Sequence, residues 1–179
     1  VDRIVSDYSK LVPTHCQLLL GQNYALIRDE FNHFKGNKKV SDHVKNILIS
    51  MGGADGKNMT PIILKALENI QFSGNICICI GAAAKNRPEI ENYLKNSQLN
   101  YEIHINSQKM ANLLSQADMA IGAGGISLLE RLCLQVPSVT IATGDNQIHQ
   151  CTALAKKKAH LFLGAWNKIC LDEVEYKLL

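Results

Sequence analysis

From residue 46 onward the chain alternates short apolar runs with longer amphipathic ones. The short runs predict strands at 47–51, 76–80, 101–105, 118–121, 138–142 and 160–163. The amphipathic runs predict helices at 61–70, 87–95, 107–116, 125–134, 146–157 and 171–179. Thr60 is the expected N-cap of the first helix, with Pro61 in its first turn, where a missing N–H costs nothing. Ser107 is placed to cap the third helix, and Val136-Pro137 ends the fourth. Strands this short and apolar, each followed by a helix, belong to a parallel sheet buried on both faces. With right-handed crossovers the result is a Rossmann-like α/β domain.

The first forty residues fit this alternation less well. Cys16-Gln17-Leu18-Leu19-Leu20-Gly21 reads as a strand, residues 24–31 as a short helix, and 35–39 as a polar loop. The expected division is an arm over 1–40, the tail of an upstream domain, and a Rossmann-like ligand-binding domain over 41–179. The chain does not start with Met, which fits a piece of a longer protein.

Composition narrows the function. The 179 residues are 46% hydrophobic and 20% charged, ordinary for a globular domain with a full core. A net charge of +3, with scattered basic residues, gives no basis for nucleic-acid binding. Lys156-Lys157-Lys158 reads as a solvated helix end. No apolar run reaches the ~20 residues of a membrane span, and no signal peptide opens the chain. The six cysteines include none at two-residue spacing, so no zinc site or redox motif is expected. Cys77 and Cys79 fall on one face of a strand and read as buried reduced thiols, which points to a reducing, cytoplasmic setting.

Ligands of an open parallel sheet bind beyond the carboxyl ends of its strands. Three of those ends are unusual here: Gly52-Gly53-Ala54-Asp55-Gly56, Gly122-Ala123-Gly124-Gly125 and Thr143-Gly144-Asp145-Asn146-Gln147. A glycine turn leading into a helix can present N–H groups to a phosphate. A dinucleotide fingerprint is excluded, because its third glycine would fall at position 127, which is Ser127. A P-loop ending at Gly56-Lys57 is excluded by Met51 and Asn58. Glu130, three residues after Ser127 on one helical face, can accept hydrogen bonds from two vicinal ribose hydroxyls. Its other readings are a solvated charge or a partner of Arg131 or Lys109. Ser127 touches a phosphate or caps its helix. Asp145-Asn146-Gln147 contacts sugar hydroxyls or caps the helix that follows. The histidines stand at no catalytic or metal spacing, and His149 is the one nearest the site.

At Leu19-Leu20-Gly21-Gln22-Asn23-Tyr24-Ala25-Leu26-Ile27-Arg28, Ile49-Ser50-Met51-Gly52-Gly53-Ala54-Asp55, residues 117–125 and Asp145-Asn146-Gln147, the chain resembles a known family. It is similar to the C-terminal half of the UDP-sugar hydrolases of pseudaminic acid biosynthesis. These are relatives of the glycosyltransferase that forms lipid II, with a two-domain GT-B fold. The resemblance implies a UDP-sugar ligand and a division of labour between the halves. Glu130 would bind the ribose. Backbone around Gly52, Gly53, Gly124 and Gly125, with Ser127, would hold the diphosphate. The segment from Ser107 to Met110 would meet the uracil, and Asn146 and Gln147 the sugar or phosphate. The catalytic base would lie on the N-terminal domain, so no catalytic residue, metal or cofactor is expected on this chain. Where the family has Ser-Thr after the paired glycines and Trp before the glutamate, this chain has Ile126-Ser127 and Leu129. The expected whole reaction is hydrolysis of a UDP-sugar for surface glycan synthesis. The alternatives are a GT-B glycosyltransferase with the same donor site, and a non-catalytic half completed by a partner chain.

Overall fold

The computed structural model describes Tyr8, residues 11–36 and residues 41–179. Six strands are present: β1 (Asn46–Ser50), β2 (Asn75–Ile80), β3 (Asn100–Ile105), β4 (Met119–Ala123), β5 (Ser138–Ala142) and β6 (Leu161–Ala165). Each is followed by a helix: α1 (Met59–Asn69), α2 (Arg87–Lys95), α3 (Met110–Gln116), α4 (Ile126–Cys133), α5 (Asp145–Lys156) and α6 (Leu171–Leu178). Every neighbouring pair of strands is parallel, and the order across the sheet is β3-β2-β1-β4-β5-β6. The domain is a Rossmann-like α/β sandwich, as the alternation of elements requires.

Strand period decides which side chain faces which layer. Ile47 and Ile49 of β1 are buried against Ile63, Leu64 and Leu67 of α1. Leu48, between them, is buried on the opposite face with Ala111 and Leu114 of α3. A one-residue slip would exchange these sets, so burial on both faces pins the register. Full burial of such a side chain contributes about 1.5–3 kcal/mol. β5 is buried along its whole length. Beside it, β6 shifts register between Thr140 and Ile141, and runs to Ala165 rather than stopping at 163.

The helix starts differ in detail from expectation. At α1 the cap is Asp55, not Thr60. The Asp55 carboxylate accepts the N–H groups of Met59 and Thr60, each at 3.0 Å, while Thr60 is buried inside the helix. Asp55 reaches this position because the loop loops back through left-handed backbone at Asp55 and Asn58. The third helix begins at Met110, and the Ser107 hydroxyl accepts the Lys109 N–H at 3.1 Å, just ahead of it.

The arm departs further. Residues 16–20 join no sheet, and the expected helix over 24–31 is replaced by two 3₁₀ turns, Gln22–Tyr24 and Asp29–His33. The run Cys16–Leu20 pairs with no strand, and one short apolar stretch cannot bury itself alone. Of the expected polar loop, 37–39 lie outside the described residues. What anchors the arm is Phe31, fully buried in the layer formed with Leu48, Leu114 and Leu134.

Replacing Phe31 with Ala removes that anchor. The expected loss is about 3–5 kcal/mol, read as a lower urea midpoint. An unchanged midpoint would mean the arm contributes nothing to the stability of the sheet.

Candidate nucleotide-binding site

The strand order reverses direction between β1 and β4, the switch point where open α/β sheets bind ligands. Ser50 of β1 lies opposite Gly122 of β4. The two glycine turns that follow these residues are therefore side by side. Between the first turn and the start of α4 is a cleft of about 180 Å³. Gly52, Gly53, Ser107, Met110, Ser127 and Glu130 all line it. Larger hollows exist, of about 370 Å³ at the amino ends of β1–β3 and about 940 Å³ beside the arm, but neither is lined by the glycines at the carboxyl ends of β1 and β4.

Glu130 sits on α4 and is 7% exposed, so it is not a solvated charge. Its partner is neither Arg131 nor Lys109. Arg28, from the arm, donates Nε–H to Glu130 Oε1 at 2.8 Å and also pairs with Glu30 at 2.7 Å. The hydrogen bond to Glu130 raises the Arg28 pKa above its ordinary value. Arg28 also lines the cleft, so a charged pair spans its wall.

The β4–α4 turn is built around Gly125, whose φ of 77° lies in the region that L side chains avoid. The Gly124 N–H is donated to Ile141 O at 3.0 Å and so continues the β4–β5 ladder. The Gly125 N–H faces the Cys151 thiol. The first two helical residues, Ile126 and Ser127, have no intrahelical acceptor for their N–H groups. The N–H groups left without an intrahelical acceptor thus lie one to two residues beyond the glycines expected to offer them. Ser127 is not the cap of α4 but its second residue; the N-cap is Gly125.

On the third strand end, the Gln147 side chain folds back, accepting the Thr143 N–H at 2.9 Å and the Thr143 hydroxyl at 3.3 Å. Its amide nitrogen lies over the glycine turn, 3.7 Å from where a Gly125 Cβ would be. Asn146 is exposed in the first turn of α5. Neither Asp145 nor Asn146 caps that helix through its side chain; Gly144 is the N-cap.

Arg131 is the group that residue-by-residue reading missed. It is 2% exposed and lies beneath the turn. Its Nη2 donates to Ala123 O at 2.9 Å and to Thr140 Oγ1 at 3.1 Å. A Cβ on Gly122 would stand 2.5 Å from Nη1, so this glycine makes room for the guanidinium. Burial lowers its pKa to about 10, which still leaves it charged at neutral pH. Among the described residues no carboxylate forms an ion pair with it. An unpaired buried cation is costly. Under a turn that offers N–H groups, its field points where an anion would sit.

The sequence profile of the glycosyltransferase family 28 C-terminal domain matches residues 45–173. The chain belongs to that family. It is 27% identical to the spore coat polysaccharide biosynthesis protein SpsG of Bacillus subtilis, over 88% of this chain and 47% of that protein. It is 30% identical to the UDP-2,4-diacetamido-2,4,6-trideoxy-β-L-altropyranose hydrolase of Campylobacter jejuni, over 85% of this chain and 53% of that enzyme. The chain thus spans about half the length of these relatives. In fold it is similar to MurG of Acinetobacter baumannii, with a TM-score of 0.67 at 18% identity, over 84% of this chain and 42% of that one. It is also similar to the spinosyn rhamnosyltransferase SpnG, seen with thymidine diphosphate, at a TM-score of 0.57 and 16% identity over 79% of this chain and 37% of that one. Among the described residues no helix is long and apolar enough to cross a membrane.

Two of the buried charges of this family 28 domain, Asp55 and Arg131, separate by role. Asp55→Ala leaves two buried helix N–H groups without an acceptor and should cost about 2 kcal/mol in urea unfolding, with nucleotide affinity unchanged. Arg131→Met should leave stability within about 1 kcal/mol of wild type, or raise it, because a buried charge is replaced by an apolar chain of similar length. Its effect should appear instead as weaker nucleotide binding. An equal loss of stability in both variants would make Arg131 a packing residue only.

Proposed function

We propose that this chain is the nucleotide-sugar-binding half of an enzyme that hydrolyses a UDP-sugar to UDP and free sugar in surface glycan synthesis of the nonulosonic acid type. The observation that carries this reading is Glu130, buried at the switch point in one cleft with the Gly52-Gly53 turn and Ser127 of α4, and hydrogen-bonded to Arg28. A buried carboxylate there suits the paired hydroxyls of a ribose. The N–H groups of Ile126 and Ser127, with Arg131 beneath them, suit the diphosphate. Ser107 and Met110, on the opposite wall, suit the base. Gln147 and Asn146 lie toward the sugar. The 30% identity to the Campylobacter jejuni hydrolase supports the choice of sugar class and reaction.

In that reaction water attacks the anomeric carbon. The bond from that carbon to the diphosphate oxygen breaks, its electron pair leaves with UDP, and the water proton passes to a base on the N-terminal half. This chain's part is electrostatic. Donors and a cation fixed before the reaction stabilise the negative charge that grows on the leaving diphosphate. A glycosyltransferase would use the same donor cleft with a different nucleophile, and the family's own description favours keeping it as the rival reading.

Calorimetric titration with UDP tests the site. The chain alone should bind UDP weakly and turn over no UDP-sugar. Glu130→Ala should weaken UDP by about 10-fold or more, the scale of a lost hydrogen bond to a charged group. Equal affinity for wild type and variant would remove Glu130 from the ribose site. Full-length enzyme given a UDP-sugar and no acceptor should release UDP and free sugar; UDP release only when an acceptor is added would establish the transferase instead.

A further inference from the structure

The parallel pairing of β2 with β3 sets Cys77 opposite Glu102, and Cys79 opposite His104. Ile76 and Ile78 of β2 and Ile103 of β3 pack into the layer that contains α1. The alternate residues, Cys77, Cys79, Glu102 and His104, therefore share the other face. On that face the neighbouring strands are apolar: Leu48 of β1 and Ala120 of β4 are fully buried. Two thiols, a carboxylate and an imidazole stand together beside that hydrocarbon.

We infer that Cys77, Glu102 and His104, with Cys79 beside them, form a binding site for a zinc-like divalent cation on the outer edge of the sheet. The ligand atoms of Cys77, Glu102 and His104 all lie within 4.8 Å of one another. The two sulfurs are 4.0 Å apart, and His104 Nε2 is 3.2 Å from Glu102 Oε1. A tetrahedral zinc ion with bonds of about 2.0–2.3 Å separates its ligand atoms by roughly 3.3–3.8 Å. The cluster needs to contract by about 1–1.5 Å at most to meet that geometry. His104 Nε2 is buried, and its approach to Glu102 is not angled as a hydrogen bond, so it has no hydrogen-bond partner. A buried imidazole nitrogen this close to a carboxylate and a thiol is what a cation between them would use. Glu102 is largely exposed at the open edge of β3, which provides the way in. Charged residues on an edge strand also deter strand pairing, but that role needs neither the thiols nor a buried imidazole nitrogen.

Binding would require each participating thiol to lose its proton to solvent, so uptake should be accompanied by proton release. The mixed sulfur, nitrogen and oxygen donors favour zinc or cobalt over magnesium or calcium. The site is independent of the nucleotide reading. Of its residues only Cys79 lines the cleft, while Cys77 and Glu102 line the hollow at the amino ends of β2 and β3, so a bound ion would tie these two strands together partway along their length.

The test is titration of the reduced 179-residue chain with Co²⁺, followed by competition with Zn²⁺. The expected result is one cobalt per chain, with the sulfur-to-cobalt charge-transfer band and the visible bands of tetrahedral cobalt, both erased by zinc. Cys77→Ser and His104→Ala should each weaken binding by more than about 100-fold, beyond what loss of a supporting partner does. Cys16→Ser with Cys170→Ser, at exposed positions, should leave the spectrum intact. His104→Ala, at a partly exposed edge position, serves if Cys77→Ser does not fold; circular dichroism shows which variants do. No stoichiometric cobalt, a spectrum without the sulfur band, or a band that survives His104→Ala would overturn the site.

Discussion

Parallel pairing of β1 with β4 is the contact on which both the fold and the cleft depend. It joins residues 47–50 to residues 119–122, more than seventy positions apart. Everything between them, two strands and three helices, must close as a loop before this pairing can form. That closure is costly in chain entropy, and the return comes from burial on both faces of β1 and β4. Because the chain winds outward in one direction from β1 and in the other from β4, no helix covers the gap at their carboxyl ends. The cleft is a consequence of connectivity before any side chain contributes to it.

The side chains then make the cleft suitable for an anion with hydroxyls beside it. Arg131 carries a charge into the interior with carbonyl and hydroxyl acceptors for company and no carboxylate. Glu130, its sequence neighbour, points to the other side of the helix, into the cleft, and is held by Arg28. Adjacent residues on a helix are about 100° apart, so one can lie under the turn while the next faces the ligand. The pair keeps a positive charge beneath the β4–α4 turn and an acceptor in the cleft. Neither residue satisfies the other.

Much of this was legible from local pattern. The six strands and six helices follow from periods of 2 and 3.6 residues, and the observed boundaries differ by a few residues at most. The glycine turns were visible because a chain needs glycine where φ is positive, as at Gly125. The arm was misread because Cys16-Gln17-Leu18-Leu19-Leu20-Gly21 has a strand's composition but pairs with no strand of the sheet. Asp55 was read among the ligand-side residues of its turn, but the N–H groups of α1 claim its carboxylate. Gly124 looked like a phosphate donor, yet the neighbouring strand takes its N–H. In each case a competing partner lay close by, and composition alone does not reveal partners.

The sequence by itself determined the layers, the order of elements and the positions where backbone turns must occur. These are local matters, settled by side-chain period and by the backbone freedom of single residues. Only the tertiary structure decided who meets whom. Arg28 reaches Glu130 across 102 positions because Phe31 docks the arm onto the sheet. Cys77 and Cys79 meet Glu102 and His104 because β2 and β3 pair in one register and no other. Arg131 lies beneath Gly122 because α4 packs back on the strand that precedes it. Such meetings depend on strand order and register, which arise from burial summed over the whole sheet.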